Sequence, residues 1–89
     1  MIERELEIVN RLGLHARAAA KLVHTAGSFR SQVTLAKDGE EVDAKSILGL
    51  LLLAAAQGTT IHVRCAGEDE VEAMRAIADL VANRFDEGS

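Results

Sequence analysis

Asp38 and Gly39 stand between two short runs that alternate apolar and polar residues, Gln32 to Lys37 and Glu40 to Asp43. An Asp-Gly pair in that setting is a strong signal for a two-residue hairpin, because its left-handed backbone matches the twist of the flanking strands. The chain must therefore build at least this strand pair. Ile2 to Val9 alternates as well, with Ile2, Leu6 and Ile8 on one face and Glu3, Glu5 and Glu7 on the other; Arg4 interrupts the apolar side. Thr60 to Cys65 puts Ile61, Val63 and Cys65 on one face and reads as a fourth strand.

Helical patterns fall between the strands. Ala16 to Ala26 is alanine-rich, and Gly27 sits where a C-terminal cap would fall. Ser46 is the expected N-cap of a helix running to about Gln57, with Gly58 ending it. Asp69 to Phe85 is the last helix, its inner stripe being Val71, Met74, Ile77, Ala78 and Val81, and residues Asp86 to Ser89 are expected to fray. Asn10 to Leu14 reads as a loop. The order βαββαβα points to one sheet with helices stacked on one face, leaving the glutamates of the first strand in water. Periodicity leaves the strand order open, mixed or antiparallel. With 89 residues there is room for one core, so residues 1–89 are read as a single domain.

Composition removes several functions. The chain is 48% hydrophobic with only 2% aromatic residues, so its core is aliphatic. A net charge of −4 and the lack of aromatic stacking platforms argue against nucleic acid. Cys65 is the sole cysteine, which excludes an internal disulfide and a cysteine-based metal cluster. No other His, Asp and Glu spacing suggests a metal site, and no cofactor is expected. The longest apolar run, Leu50 to Ala56, is far shorter than the ~20 residues of a spanning helix. The N-terminus carries no signal-peptide pattern, so a soluble cytoplasmic protein without membrane insertion is expected.

His15 is the residue with chemistry to offer. It lies at or just before the first turn of the alanine-rich helix, where unpaired backbone N–H groups and a partial positive charge gather. An anion beside the ring would meet the N–H groups of Ala16 and Arg17 and the Arg17 guanidinium, with Arg11 close by in sequence. Gly13 lets the preceding loop bend. A neutral imidazole nitrogen is a competent nucleophile, and a phosphoryl group on it stays easy to transfer. A histidine that merely caps the helix would look the same locally.

Gly13-Leu14-His15-Ala16-Arg17 resembles the active-site motif of the HPr family, the histidine-containing phosphocarriers of the bacterial phosphoenolpyruvate-dependent phosphotransferase system. Lys45-Ser46-Ile47-Leu48-Gly49 is similar to the family's second motif, around its regulatory serine. The resemblance covers nearly the whole chain. It implies an α+β open-faced β-sandwich, with a four-stranded antiparallel sheet covered on one face by three helices. It also implies that His15 takes a phosphoryl group on Nδ1 from phosphorylated enzyme I and passes it to a IIA-type acceptor, that Arg17 steadies that group, and that Ser46 is a site for an HPr kinase/phosphorylase. A carrier of this kind holds no metal, acts as a monomer and is a phosphoryl-transfer intermediate rather than a stand-alone enzyme. Ala18 departs from the family's usual proline, Leu48 and Leu51 from its methionines, and His24 and Gly27 from its basic residues. These departures lean toward a nitrogen-related or regulatory branch. The alternative function is a regulatory interaction module working through Ser46 and a leucine patch, without sugar transport.

That patch has its own argument. Ile47, Leu48 and Leu50 to Leu53 surround nearly the whole helix, more than a small domain can bury. Leu50 and Leu53 are expected to point inward, and Ile47, Leu48 and Leu51 to form an exposed docking surface beside His15. A phosphate on Ser46 would add about two negative charges there; a plain helix cap is the simpler role. His24 falls late on the first helix, where a cation suits the dipole, His62 reads as solvent-facing and Cys65 as buried filler.

Overall fold

The computed structural model describes residues 1–88. The strands β1 (Ile2–Glu7), β2 (Gln32–Lys37), β3 (Glu40–Asp43) and β4 (Thr60–Ala66) form one sheet in the order β1-β4-β2-β3, every neighbouring pair antiparallel. The helices are α1 (Ala16–Gly27), α2 (Ile47–Leu53) and α3 (Glu70–Ala82), followed by a one-turn 3₁₀ segment, Arg84–Asp86. Asp38 and Gly39 have φ values of 51° and 84°, the left-handed pair that a tight hairpin requires. They set Lys37 opposite Glu40 and Leu35 opposite Val42. In the central strand β4, Ile61, Val63 and Cys65 are fully buried, while Val33 and Leu35 of β2 continue the same covered face. The other face is open and carries cross-strand pairs, His62 with Glu3 and Arg64 with Glu41, each at 2.8 Å. The sheet is thus antiparallel throughout, and the helices cover one side. Among the described residues, no helix is long and apolar enough to cross a membrane.

Four features differ from the sequence reading. Gly27 is the last residue of α1 rather than its cap; Ser28 caps it, its N–H donating to the Thr25 carbonyl at 3.1 Å. α2 stops at Leu53 instead of Gln57, because Ala54 turns left-handed (φ 51°) and Lys37 Nζ caps the Leu53 and Ala54 carbonyls. Alanine propensity loses here to longer-range bonds. The Ala55 carbonyl accepts from Leu14 N–H at 2.8 Å, and Gly58 N–H donates to the Ile8 carbonyl at 2.7 Å. Val71 is 53% exposed rather than part of the inner stripe. At about 100° per residue it lies roughly 120° round the helix from Ile77, outside the arc that Ala73, Ile77 and Val81 bury.

The fourth difference is the C-terminus. α3 ends at Ala82, and the segment expected to fray instead folds back. Arg84, Phe85 and Asp86 adopt φ values of 57°, 52° and 61°, three left-handed residues in succession without a glycine. Phe85 is fully buried among the helices, and Lys21 Nζ donates to its carbonyl at 2.6 Å. Ser89, the end of that segment, lies outside the described residues.

Asp69, at the start of α3, ties the helix to the segment before β2. Its carboxylate accepts from the Ser31 hydroxyl at 2.6 Å and from the Arg30 and Ser31 backbone N–H groups at 2.9 Å. The Ser31 hydroxyl first, then the Arg30 N–H, hold Asp69 down from 3.8 to about 2. A carboxyl depressed in the folded state stabilises it above its unfolded value and loses that contribution as pH falls toward the folded one. Urea midpoints followed between pH 7 and 2 should therefore fall for the native chain below about pH 5. Asp69→Asn should start lower at pH 7 and show a flatter profile, the two curves converging in acid. Parallel curves would mean that Asp69 carries none of the acid sensitivity.

Candidate functional site

His15 is the N-cap of α1, with extended backbone (φ −78°, ψ 179°). Its Nδ1 accepts the Arg17 backbone N–H at 3.3 Å, and its Nε2 meets Glu87 Oε2. The two contacts agree on the proton's position in the neutral ring. A backbone N–H can only donate, so Nδ1 presents its lone pair; an ionised carboxylate can only accept, so Nε2 carries the hydrogen. Burial pushes the Glu87 carboxyl up, but hydrogen bonds from Asn10 and His15 and the charge of Lys21 leave it below the usual glutamate value. The ring is partly exposed and edges an open cleft shared with Leu12, Arg17, Lys21, Asp86 and Glu87.

The loop beneath it is held from several sides. Gly13 has φ 67°, and a Cβ there would lie 2.6 Å from the Ala55 carbonyl oxygen. Leu14 is buried and its N–H bonds that same carbonyl. Asn10 is fully buried and divides its amide N–H groups between the Gly13 carbonyl at 2.8 Å and Glu87 Oε1 at 2.9 Å. Its own Oδ1 has no partner.

The sequence-selected residues largely fall together. His15, Ala16 and Arg17 share the helix start, though the Arg17 N–H turns to His15 Nδ1 rather than outward. Ile47 and Leu51 are exposed, Leu48 is 65% exposed, and Leu50 and Leu53 are buried, as the helical periodicity predicts. Leu52, which that periodicity did not select, is 69% exposed and widens the surface together with Leu12. α2 packs on α1, and its outgoing segment runs under Gly13, so the apolar surface adjoins the His15 loop. Ser46 caps α2, its hydroxyl accepting from Gly49 N–H at 3.2 Å. His24 is exposed, and Cys65 is a buried free thiol.

Asn10 and Glu87 were missed as parts of the site. One signal was available for the tail: Phe85, one of only two aromatic residues, stands four residues before Ser89. Among the described residues, no group of three or more His, Cys, Asp or Glu side chains is placed to hold a metal ion.

A partly exposed imidazole on an open surface, with apolar side chains beside it, suits a group that one protein must hand to another. The class this defines is the small α+β carrier protein. The family model "PTS HPr component phosphorylation site" matches residues 2–83. The chain is 59% identical over 87 residues to the phosphocarrier protein HPr of Xylella fastidiosa, covering 98% of each chain. It is 53% identical over 88 residues to that of Cupriavidus necator, covering 99% of each. The crystal structure of HPr from Thermoanaerobacter tengcongensis superposes with a TM-score of 0.95 at 45% identity, over 98% of both chains. The chain belongs to the HPr family and is a phosphocarrier of the phosphotransferase system.

Proposed function

We propose that His15 Nδ1 is the carrying atom, charged by phosphorylated enzyme I and discharged to a IIA-type acceptor. One observation carries this reading: Nδ1 holds its lone pair at the first turn of α1, with only the weak Arg17 N–H bond to give up. When the N–P bond forms, that N–H and the Ala16 N–H are in place to meet phosphoryl oxygens at the positive end of the helix. The exposed Arg17 guanidinium supplies the mobile cation. In this reading residues 1–89 act as one domain and as a monomer, in the cytoplasm. Ser46, where a serine kinase such as HPr kinase/phosphorylase is present, takes a phosphate that places negative charge beside the docking surface.

Incubation with phosphoenolpyruvate and enzyme I tests the reading. The protein should gain one acid-labile phosphate, and His15→Ala should gain none. Label that survives His15→Ala overturns it; label from ATP on Ser46, with His15 never charged, favours the regulatory module instead.

Ile47, Leu48 and Leu51 are the proposed docking residues. Leu48→Asp should leave circular dichroism and melting temperature nearly unchanged, since Leu48 is exposed, and should weaken enzyme I binding about tenfold or more in a titration. Unchanged affinity would move the docking surface elsewhere.

A further inference from the structure

We infer that Glu87 is a positioning residue for phosphoryl transfer: it holds the proton of neutral His15 on Nε2 and faces the charge that the ring acquires. The inference rests on His15 being the carrying residue and deepens that reading. The geometry is specific. Glu87 Oε2 meets His15 Nε2, while its Oε1 accepts from Asn10 Nδ2 at 2.9 Å. Asn10 cannot reverse its amide without losing the bond from Nδ2 to the Gly13 carbonyl. One carboxylate therefore joins the ring to the loop that carries it.

The backbone supports a role beyond packing. Arg84, Phe85 and Asp86 each hold positive φ, a conformation that L-residues disfavour. Phe85 burial and the Lys21 bond to its carbonyl hold this turn, and the turn delivers Glu87 to His15. Strain of this kind persists where the surrounding structure enforces it, and it gathers at functional sites.

The chemistry balances with the residues present. The Nδ1 electron pair forms the bond to phosphorus as the donor's bond to phosphorus breaks, the donor keeping that electron pair. The Nε2 proton stays in place, so the ring becomes cationic with its N–H on the Glu87 carboxylate. Onward transfer returns the electron pair to Nδ1. Without Glu87, a neutral ring can place its proton on Nδ1 and block the nucleophile.

Two variants separate this role from a structural one. In Glu87→Ala the constraint on Nε2 is lost. In Glu87→Gln the side-chain oxygen is claimed by Asn10, so its amide N–H groups face Nε2 and drive the ring proton to Nδ1. Ring-nitrogen NMR at about pH 9, where imidazoles are neutral, should show the Nε2–H form in the native chain, a mixture in Glu87→Ala, and the largest Nδ1–H fraction in Glu87→Gln. Charging by enzyme I should slow about tenfold in Glu87→Ala and further in Glu87→Gln, through kcat with KM unchanged. Unaltered ring-nitrogen signals in both variants, or native charging rates, would overturn the inference even if both variants melt earlier. His15→Ala in the same assay keeps the two readings apart: label on that variant sinks the carrying-residue reading and this one with it. Label confined to His15, with Glu87 variants as fast as native, sinks only this one.

Discussion

Gly13→Ala should cost about 2–4 kcal/mol of stability and slow phosphoryl uptake. Two effects add. An L-residue at φ 67° carries about 1–2 kcal/mol of backbone strain. The new Cβ would also lie 2.6 Å from the Ala55 carbonyl oxygen, which is backbone and cannot swing aside. That carbonyl accepts the Leu14 N–H, so relief of the clash stretches a bond next to His15. Gly27→Ala is the control. Its Cβ would meet nothing within 4 Å and its backbone is helical, so it should stabilise by about 0.5–1 kcal/mol. Urea denaturation of the two variants, with charging rates for each, gives the comparison. Similar stabilities for both would mean that the His15 loop is not held against α2's outgoing segment as described.

Phe85→Ala should be the most damaging single truncation in the tail, about 3–5 kcal/mol. Phe85 is among the largest fully buried side chains. A cavity left there also removes what enforces the left-handed turn, since alanine gains nothing by staying at φ 52°. Set against the ~5–15 kcal/mol that stabilises a typical domain, this loss is a large share. The site should respond too: with the turn released, Glu87 leaves His15 and Asn10. Amide hydrogen exchange should show the segment after Ala82 opening freely while β4 keeps its protection. Phe29→Ala is the comparison, at a half-buried position, and should cost less. A loss below about 1 kcal/mol for Phe85→Ala, an exposed-site value, would contradict the anchored tail.

The parts of this fold legible in the sequence are those set by local rules. Strand faces follow from period-two alternation, and the hairpin from Asp38-Gly39. Ser46 was readable as a cap because its hydroxyl acts three residues away. The inward and outward leucines of α2 followed from helical geometry alone. What could not be read depends on residues far apart in the chain. α2 ends at Leu53 because Leu14 and Lys37 claim its last carbonyls and those that follow. Local propensity cannot anticipate that, and it favours continuing through Ala54 to Ala56. Arg84, Phe85 and Asp86 carry no glycine to announce a left-handed turn. Glu87 reaches His15 across 72 residues of sequence, so a terminal acidic residue looked like a solvated end. At the site, the helix start beside His15 was visible locally, yet capping and carrying chemistry look alike there. The resemblance of two separated motifs favours the second, and the contacts of His15, with Nδ1 accepting the Arg17 N–H, are compatible with both.

Locating the phosphorus atom tests the account most directly. Protein labelled with nitrogen-15 at histidine is charged with phosphoenolpyruvate and enzyme I, and phosphorus–nitrogen coupling is read by NMR. The account predicts coupling to His15 Nδ1, with the Nε2 proton retained. Phosphorus on Nε2, on His24 or His62, or on no imidazole at all would contradict it.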